Sequence, residues 1–208
     1  MQPNEPRYCP QVFDQPDLAD AKAIILTPEA GLTTDERWER ETAFLRPFLE
    51  ALPPGLAIDY GCGIGRLAKV LNETRPVLGV DVSPVMRAQS LGYVDSQTFD
   101  VIPPALFNLM GDAIQAHSAV ASWVLQHVEH PHVVVSTIAN ALRPGGKFLV
   151  LDRFQRLVPT LEGHVFSWAD DGHDVSRILK KYFEPEFRKN VPGDLCAEGA
   201  VLVGYRKR

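Results

Sequence analysis

Apolar positions recur along this chain at two spacings, and the switch between them outlines the fold. Trp38, Thr42, Leu45, Phe48, Leu49 and Leu52 fall on one face of a helix. Thr33 and Glu36 supply the pattern of a capping box at its start. Pro47 predicts a kink or a break, and Pro53-Pro54-Gly55 ends the element. Residues 57–60 then read as a short buried strand, followed by three closely spaced glycines and a helix over 66–73. Residues 77–82 form a second apolar strand ending in an acid. Ser83-Pro84 reads as the N-cap and first residue of the next helix, through Val85, Met86, Gln89 and Leu91. Strand and helix in alternation predict a parallel α/β sheet.

The second half continues the alternation. Residues 98–102 predict a third strand closed by Pro103-Pro104, and 104–110 a helical turn. Residues 118–124 predict a fourth strand. Pro131 opens a helix through Val134, Ile138, Ala141 and Leu142, stopped by Arg143-Pro144-Gly145-Gly146. Gly145-Gly146 is a tight turn that needs positive φ, with no chemistry of its own. Residues 147–152 predict a fifth strand, and 154–171 a long connection at the carboxyl end of the sheet, where ligands bind in such folds. An amphipathic helix follows over 174–182. Two last strands, 187–191 and 200–205, flank Pro192-Gly193-Asp194 and pair as an antiparallel hairpin. Ahead of all this, Pro3, Pro6, Pro10, Pro16 and Pro28 restrict residues 1–33 to an arm with one short helix over 17–26. The expected division is an arm or lid over 1–33 and a single domain over 34–208.

Composition narrows the class. Of 208 residues, 45% are hydrophobic and 23% charged, as in an ordinary globular domain. A net charge of −5 argues against non-specific nucleic-acid binding. Cys9, Cys62 and Cys196 are odd in number and far apart, which predicts free thiols in a reducing compartment. With no signal-peptide pattern and no apolar run of spanning length, the expectation is a cytoplasmic protein without a membrane partner. No Cys/His spacing suggests a metal.

The glycine loop, AIDYGCGIGR over 57–66, carries the chemistry. Glycines between strand and helix let a ligand approach the backbone, and the N–H groups of a helix start favour an anionic ligand. A dinucleotide fingerprint would be G-x-G-x-x-G. Here the third glycine, Gly65, comes one residue early and Arg66 stands in its place. Asp59 precedes the loop by two residues, where it would repel a diphosphate and attract an ammonium group.

The D-x-G-x-G-x-G pattern resembles the first motif of class I S-adenosylmethionine (SAM)-dependent methyltransferases. Three further features agree in order: Asp81, 22 residues after Asp59; Ser122-Trp123-Val124-Leu125-Gln126-His127-Val128; and Leu142-Arg143-Pro144-Gly145-Gly146-Lys147. The resemblance covers roughly residues 40–155. It implies a three-layer αβα sandwich around a seven-stranded, mostly parallel sheet of order 3-2-1-4-5-7-6, with strand 7 antiparallel. It implies SAM as cofactor and S-adenosylhomocysteine as product. In that frame Asp59 acts near the methionine end; Gly61, Cys62, Gly63 and Gly65 cradle the cofactor; Asp81 holds the ribose; and Val82 flanks the adenine. Ser122 and Trp123 border the cofactor, and Gln126 and Trp168 face the substrate. The family's adenine-binding acid has no clear counterpart, because the third strand ends at Pro103. Asp112, in Met110-Gly111-Asp112-Ala113, is the candidate, with Asp100 as another.

Methyl transfer from a sulfonium needs alignment, and a hydroxyl acceptor gains from a base. Among His127, His130, His132, His164 and His173, the candidate base is His127, the alternative being a structural ring. No N-P-P-Y-like motif follows the fourth strand, which argues against DNA-base amines. The expected acceptor is a small molecule, methylated at O, N or C, and nucleic acid is disfavoured. The rivals are a non-catalytic SAM-binding protein, a SAM-fold enzyme of other chemistry such as aminopropyl transfer, and a NAD oxidoreductase.

Overall fold

The computed structural model describes residues 7–161, 163–166, 174–196 and 199–208. A seven-stranded sheet forms its centre. The strands are β1 (Ala57–Tyr60), β2 (Val77–Val80), β3 (Phe99–Ile102), β4 (Ala116–Ser122), β5 (Leu142–Asp152), β8 (Phe183–Asn190) and β9 (Val201–Lys207), in the order β3-β2-β1-β4-β5-β9-β8. A separate hairpin, β6 (Leu157–Thr160) with β7 (Gly163–Phe166), lies in the long connection. With that hairpin set aside, the order is the expected 3-2-1-4-5-7-6. The β1, β2, β3, β4 and β5 pairings are parallel, while β9 runs antiparallel to both β5 and β8.

Helices cover both faces, which is why the central strands read as continuous apolar runs. On one face α2 (Thr34–Glu50), α3 (Arg66–Asn72) and α4 (Pro84–Val94) bury Leu45, Leu49, Leu67, Leu71 and Met86 against the sheet. On the other, α5 (Pro104–Met110), α6 (Pro131–Ala141) and α7 (Val175–Tyr182) bury Phe107, Ile138 and Leu179. Among the described residues no helix is long and apolar enough to cross a membrane.

Local signals explain most boundaries. Thr33 caps α2 in a full capping box with Glu36, and Ser83 caps α4 by accepting from Met86 N–H at 3.1 Å. Gly145 takes φ +73° inside β5, which starts at Leu142 and not at the expected 147, at the irregularity where its pairing with β4 shifts register between Leu142 and Lys147. Of the kink or break expected at Pro47, the break does not occur: α2 continues through it to Glu50. The proline lies in the last turn, between Leu45 and Leu49, and the burial of both offsets one lost backbone hydrogen bond. The connection after β5 carries the hairpin that the sequence pattern did not show, because its strands are only four residues each.

The arm packs over the carboxyl ends of the strands. Helix α1 (Leu18–Ile25) is capped by Asp17. Asp14 accepts from Ser83 Oγ at 2.6 Å, and the Gln15 and Pro16 carbonyls accept from Gln89 Nε2. Tyr8 bridges to Thr160, Cys9 N–H donates to Pro159 O at 2.9 Å and Leu161 N–H to Arg7 O at 3.2 Å. The arm thus extends the hairpin edge and ties it to α4.

Candidate functional site

A cavity of about 370 Å³ opens at the carboxyl ends of β1, β2 and β4, within the range of small-molecule sites. The glycine loop forms its floor. Gly61 and Gly63 adopt φ +71° and +54°. A Cβ on Gly61 would stand 2.2 Å from Val124 Cγ2, and one on Gly63 2.6 Å from Ile25 Cδ1. A side chain at either position would displace Val124 or the end of Ile25, on a backbone conformation that L residues rarely adopt. Four of the loop's N–H groups are spent inside the protein. Gly61 and Cys62 donate to Val80 O at 2.6 and 3.1 Å, Gly63 donates to Asp81 Oδ2 at 2.8 Å, and Gly65 donates to Cys62 O at 2.8 Å. Those four amides are thereby withdrawn from a ligand, and at their positions the loop shapes the floor instead of offering donors.

Asp81 stands on the cavity wall. Its two oxygens accept from the Gly63 and Ser83 N–H groups, which fix the carboxylate in place. Burial pushes its pKa up, opposed by those two N–H bonds. Each oxygen keeps acceptor capacity for a diol. Val82, Met86, Pro104 and Asn108 continue the wall beyond it, and Ser122, Trp123, Val124 and His127 close the opposite side. Tyr8, Phe13, Ile24 and Ile25 of the arm form the roof.

Of the residues predicted for the site, Gly61, Gly63, Asp81, Val82, Ser122, Trp123 and His127 line this cavity. Gln126 lines an adjoining one. Asp59, Cys62 and Gly65 lie beneath the loop instead. Asp59 is buried, and its Oδ2 has no hydrogen-bond partner among the described residues. Desolvation pushes its pKa up to about 7, against the Ala68 amide and the Arg66 charge, which pull it down. Gly65 caps α3 at φ +93°, and a Cβ there would meet Val94 Cγ2 at 2.6 Å. Asp112 does not reach the cavity: it is exposed on the turn before β4, at the amino end of the sheet. Asp100 is likewise exposed on β3. The wall position expected of an adenine ligand is held by Pro104 and Asn108 of α5. Trp168 and His173 lie outside the described residues, as does the side chain of His164.

Sequence reasoning missed a buried ionic cluster behind Trp123. Glu41 is 0% exposed, with Arg37 at 3% and Arg66 at 4%. Glu41 Oε1 accepts from Arg66 Nη2 at 2.7 Å and from Trp123 Nε1 at 3.0 Å. Its Oε2 lies 3.7 Å from Arg37 Nη2. Glu29 ties Arg37 to Arg153, and both guanidinium groups lie over the Trp123 ring, at 5.4 and 5.7 Å. Arg66 thus replaces the third glycine of a dinucleotide loop because it reaches back to Glu41 and, at 3.4 Å, to Ser122 Oγ. The missed signal was Glu41's place: three residues after Trp38 and four before Leu45, it falls on the buried stripe of α2. Trp123 itself sits at φ +60°, and Phe154 after β5 at φ +56°. Non-glycine residues in that region cost about 1–3 kcal/mol each and gather at functional sites.

His127 projects between the two cavities. Its Nδ1 is 2.7 Å from Leu157 O, so in the neutral ring Nδ1 carries the hydrogen and Nε2 the lone pair. Gln126 Nε2 stands 3.0 Å from that lone pair, and Phe13 meets the ring edge-on at 5.8 Å. Asp152 fixes this segment from below by accepting from Gln126 N–H at 3.2 Å; burial raises its pKa to about 6.

With this geometry in place, the comparisons with known proteins bear on the same face of the fold. A family model described as a methyltransferase domain matches residues 33–186. A ribosomal RNA small subunit methyltransferase C from Pseudomonas putida is 31% identical over 150 residues, covering 64% of this chain and 43% of that protein. The chain spans less than half the length of the first curated relatives it matches. Among solved structures, the [4+2]-cyclase SpnF superposes with a TM-score of 0.70 at 15% identity, covering 99% of this chain and 97% of that one. The Burkholderia thailandensis 1,6-didemethyltoxoflavin-N1-methyltransferase, solved with 1,6-didemethyltoxoflavin and S-adenosylhomocysteine, has a TM-score of 0.59 at 20% identity, covering 82% and 78%. The matched region takes in every strand of the parallel sheet and every described wall of the large cavity except the arm, and on that match the chain belongs to the methyltransferase-domain family.

Proposed function

We propose that the chain is a SAM-dependent methyltransferase acting on a small-molecule acceptor. The observation that carries this is the wall around Asp81: a buried carboxylate held by two backbone amides beside a glycine floor, in a cavity of about 370 Å³. Such a carboxylate suits the two hydroxyls of a ribose. A dinucleotide would bring a diphosphate to the same floor, where the N–H groups of Gly61, Cys62, Gly63 and Gly65 are already engaged. SAM carries no phosphate and fits these residues: Gly61 and Gly63 allow its close approach, Asp81 holds the ribose, and Val82, Met86, Pro104 and Asn108 enclose the base. When bound, SAM supplies an electrophilic methyl group on a sulfonium.

The chain's own residues then enclose and orient the acceptor. Trp123 and His127 form the wall shared with the adjoining cavity. The arm over 1–33 serves as the lid of the domain over 34–208, with Phe13, Ile24 and Ile25 excluding water from the reacting atoms. This roof, and the net charge of −5, favour a small molecule over nucleic acid. For a hydroxyl acceptor, His127 takes the proton at Nε2 while Leu157 O holds Nδ1–H, and the Gln126 amide gives way to the acceptor's oxygen. SAM, where bound, would supply the methyl group to the acceptor oxygen, and His127 would keep the acceptor's proton.

Methyl transfer is tested by incubating the protein with radiolabelled SAM and a panel of phenols, carboxylates and amines. Label in an acceptor supports the reading, and binding without transfer to any acceptor favours a non-catalytic protein. Given a phenolic acceptor, His127→Asn lowers kcat by about 10²-fold or more and removes the acidic limb of its pH profile. An unchanged pH profile would remove His127 as the base.

A further inference from the structure

The adjoining cavity has a chemistry of its own. It holds about 180 Å³, is separated from the large cavity by Trp123 and His127, and is roofed by Phe13, Ile24 and Ile25. Its polar described lining consists of Thr27, Glu29, Arg37, Gln126, His127 and Arg153. Among the described lining residues two guanidinium groups therefore face one carboxylate. Glu29 is shared between them: Oε2 lies 3.0 Å from Arg37 Nη1, and Oε1 meets Arg153 Nη2. Cys196 Sγ accepts from Arg153 Nη2 at 3.2 Å but does not balance the charge, because burial raises the thiol's pKa and keeps it neutral. Arg66 does not shift the balance either, since Glu41 pairs with it at 2.7 Å.

The hydrogen bonds of the two arginines differ. Arg37 is committed through Nη1 to Thr27 O at 2.7 Å and to Glu29. Among the described residues Arg153 hydrogen-bonds only through Nη2; its Nε, like that of Arg37, is a buried donor without a partner there. Its Nη1 makes no hydrogen bond among the described residues, and its side chain keeps 32% of its exposure. With its guanidinium 5.7 Å from the Trp123 ring centroid, Nη2 spent on Glu29 and Cys196 and Nη1 unused among the described residues, Arg153 is placed to donate a charge-assisted hydrogen bond to one oxygen of an anion.

We infer that this smaller cavity binds an anionic group of the acceptor, a carboxylate in chemical class, through Arg153 with Arg37 behind it. The inference rests on the methyl-transfer reading and names its substrate class. The carboxylate restores the balance on the cavity wall. The remainder of the acceptor extends past Trp123 and His127 toward the methyl donor, so the reactive atom lies a short, rigid distance from the anionic end. The apolar roof and the Trp123 face suit an aromatic carboxylate.

The test compares benzoate with benzamide, which share a shape and differ in charge. Each is titrated by calorimetry into the full chain, with and without saturating S-adenosylhomocysteine, and into Arg153→Gln. The expected result is benzoate binding about ten-fold or more tighter than benzamide, the scale of a charge-assisted hydrogen bond. That preference falls to about one-fold in Arg153→Gln, while affinity for S-adenosylhomocysteine stays within about three-fold. Equal binding of the two probes, or a benzoate preference that survives in Arg153→Gln, overturns the inference. Failure of S-adenosylhomocysteine to bind the wild-type chain is a separate result that defeats the methyltransferase reading; the benzoate-to-benzamide ratio without it then still decides whether the cavity selects an anion.

Discussion

Glu41 should carry more of this protein's stability than any exposed acid. It is fully buried and faces three partners: Arg66 at 2.7 Å, Trp123 Nε1 at 3.0 Å and Arg37 at 3.7 Å. Glu41→Gln keeps the volume and one acceptor oxygen but removes the charge. Among the described residues, Arg66 is then left without a carboxylate partner and Arg37 keeps Glu29 alone. Removing one partner of a buried ion pair costs about 3–5 kcal/mol, because the remaining charge stays desolvated. Since the amide oxygen still accepts from Arg66 and Trp123, the lower end, about 3 kcal/mol, is expected. Urea unfolding measures it as a fall in midpoint at constant m. Arg66→Met should destabilise as well. In the Glu41→Gln/Arg66→Met double variant the two losses should fall short of their sum by about 1 kcal/mol or more, as coupled groups do. A cost below about 1 kcal/mol, the level of a surface pair, would refute the claim that this cluster holds Trp123 in place.

Two other perturbations follow from the loop. Gly61→Ala places a Cβ 2.2 Å from Val124 Cγ2 at φ +71°; overpacking and left-handed backbone together should cost about 2–4 kcal/mol, seen as a lower unfolding midpoint, and a near-neutral variant would contradict the packed floor. Asp59 titrates in the fold at about 7, above its ordinary 3.8, because of burial. Its native form therefore holds a proton that the unfolded chain has lost, so its contribution to stability falls as pH rises from about 4 to about 7. Asp59→Asn should gain on the wild type across that window by up to about 1.4 kcal/mol per pH unit. A wild-type-minus-variant difference that does not change with pH would remove Asp59 from the account.

Much of the fold was legible because its signals are local. Gly61, Gly63, Ser83-Pro84 and Gly145 each need a particular backbone, and Thr33 with Glu36 announces a helix start. The seven-strand order came from the resemblance those motifs carry, and the sheet has it. Contacts between distant segments were not legible. Glu29, Arg37 and Arg153 converge from the arm, α2 and the end of β5, and no spacing in the chain joins them. Pro47 misled in the other direction: helix propensity predicted a break that packing of Leu45 and Leu49 overrides. Asp112 misled because a familiar tripeptide was placed without regard to sheet direction, four residues before a strand whose opposite end faces the cavity. Arg66 was legible only as a missing glycine; its bond to Glu41 gives the positive reason for it.

The central claim is that the cavity beside Asp81 holds SAM by its ribose, and that a loop whose Gly61, Cys62, Gly63 and Gly65 amides are engaged disfavours a diphosphate cofactor. Calorimetry with S-adenosylhomocysteine and with NAD, on the wild type and Asp81→Ala, tests both parts at once. S-adenosylhomocysteine should bind the wild type, NAD should show no heat, and Asp81→Ala should lose about 1–3 kcal/mol of binding. NAD binding at the same site, or S-adenosylhomocysteine bound equally well without the Asp81 carboxylate, would contradict it.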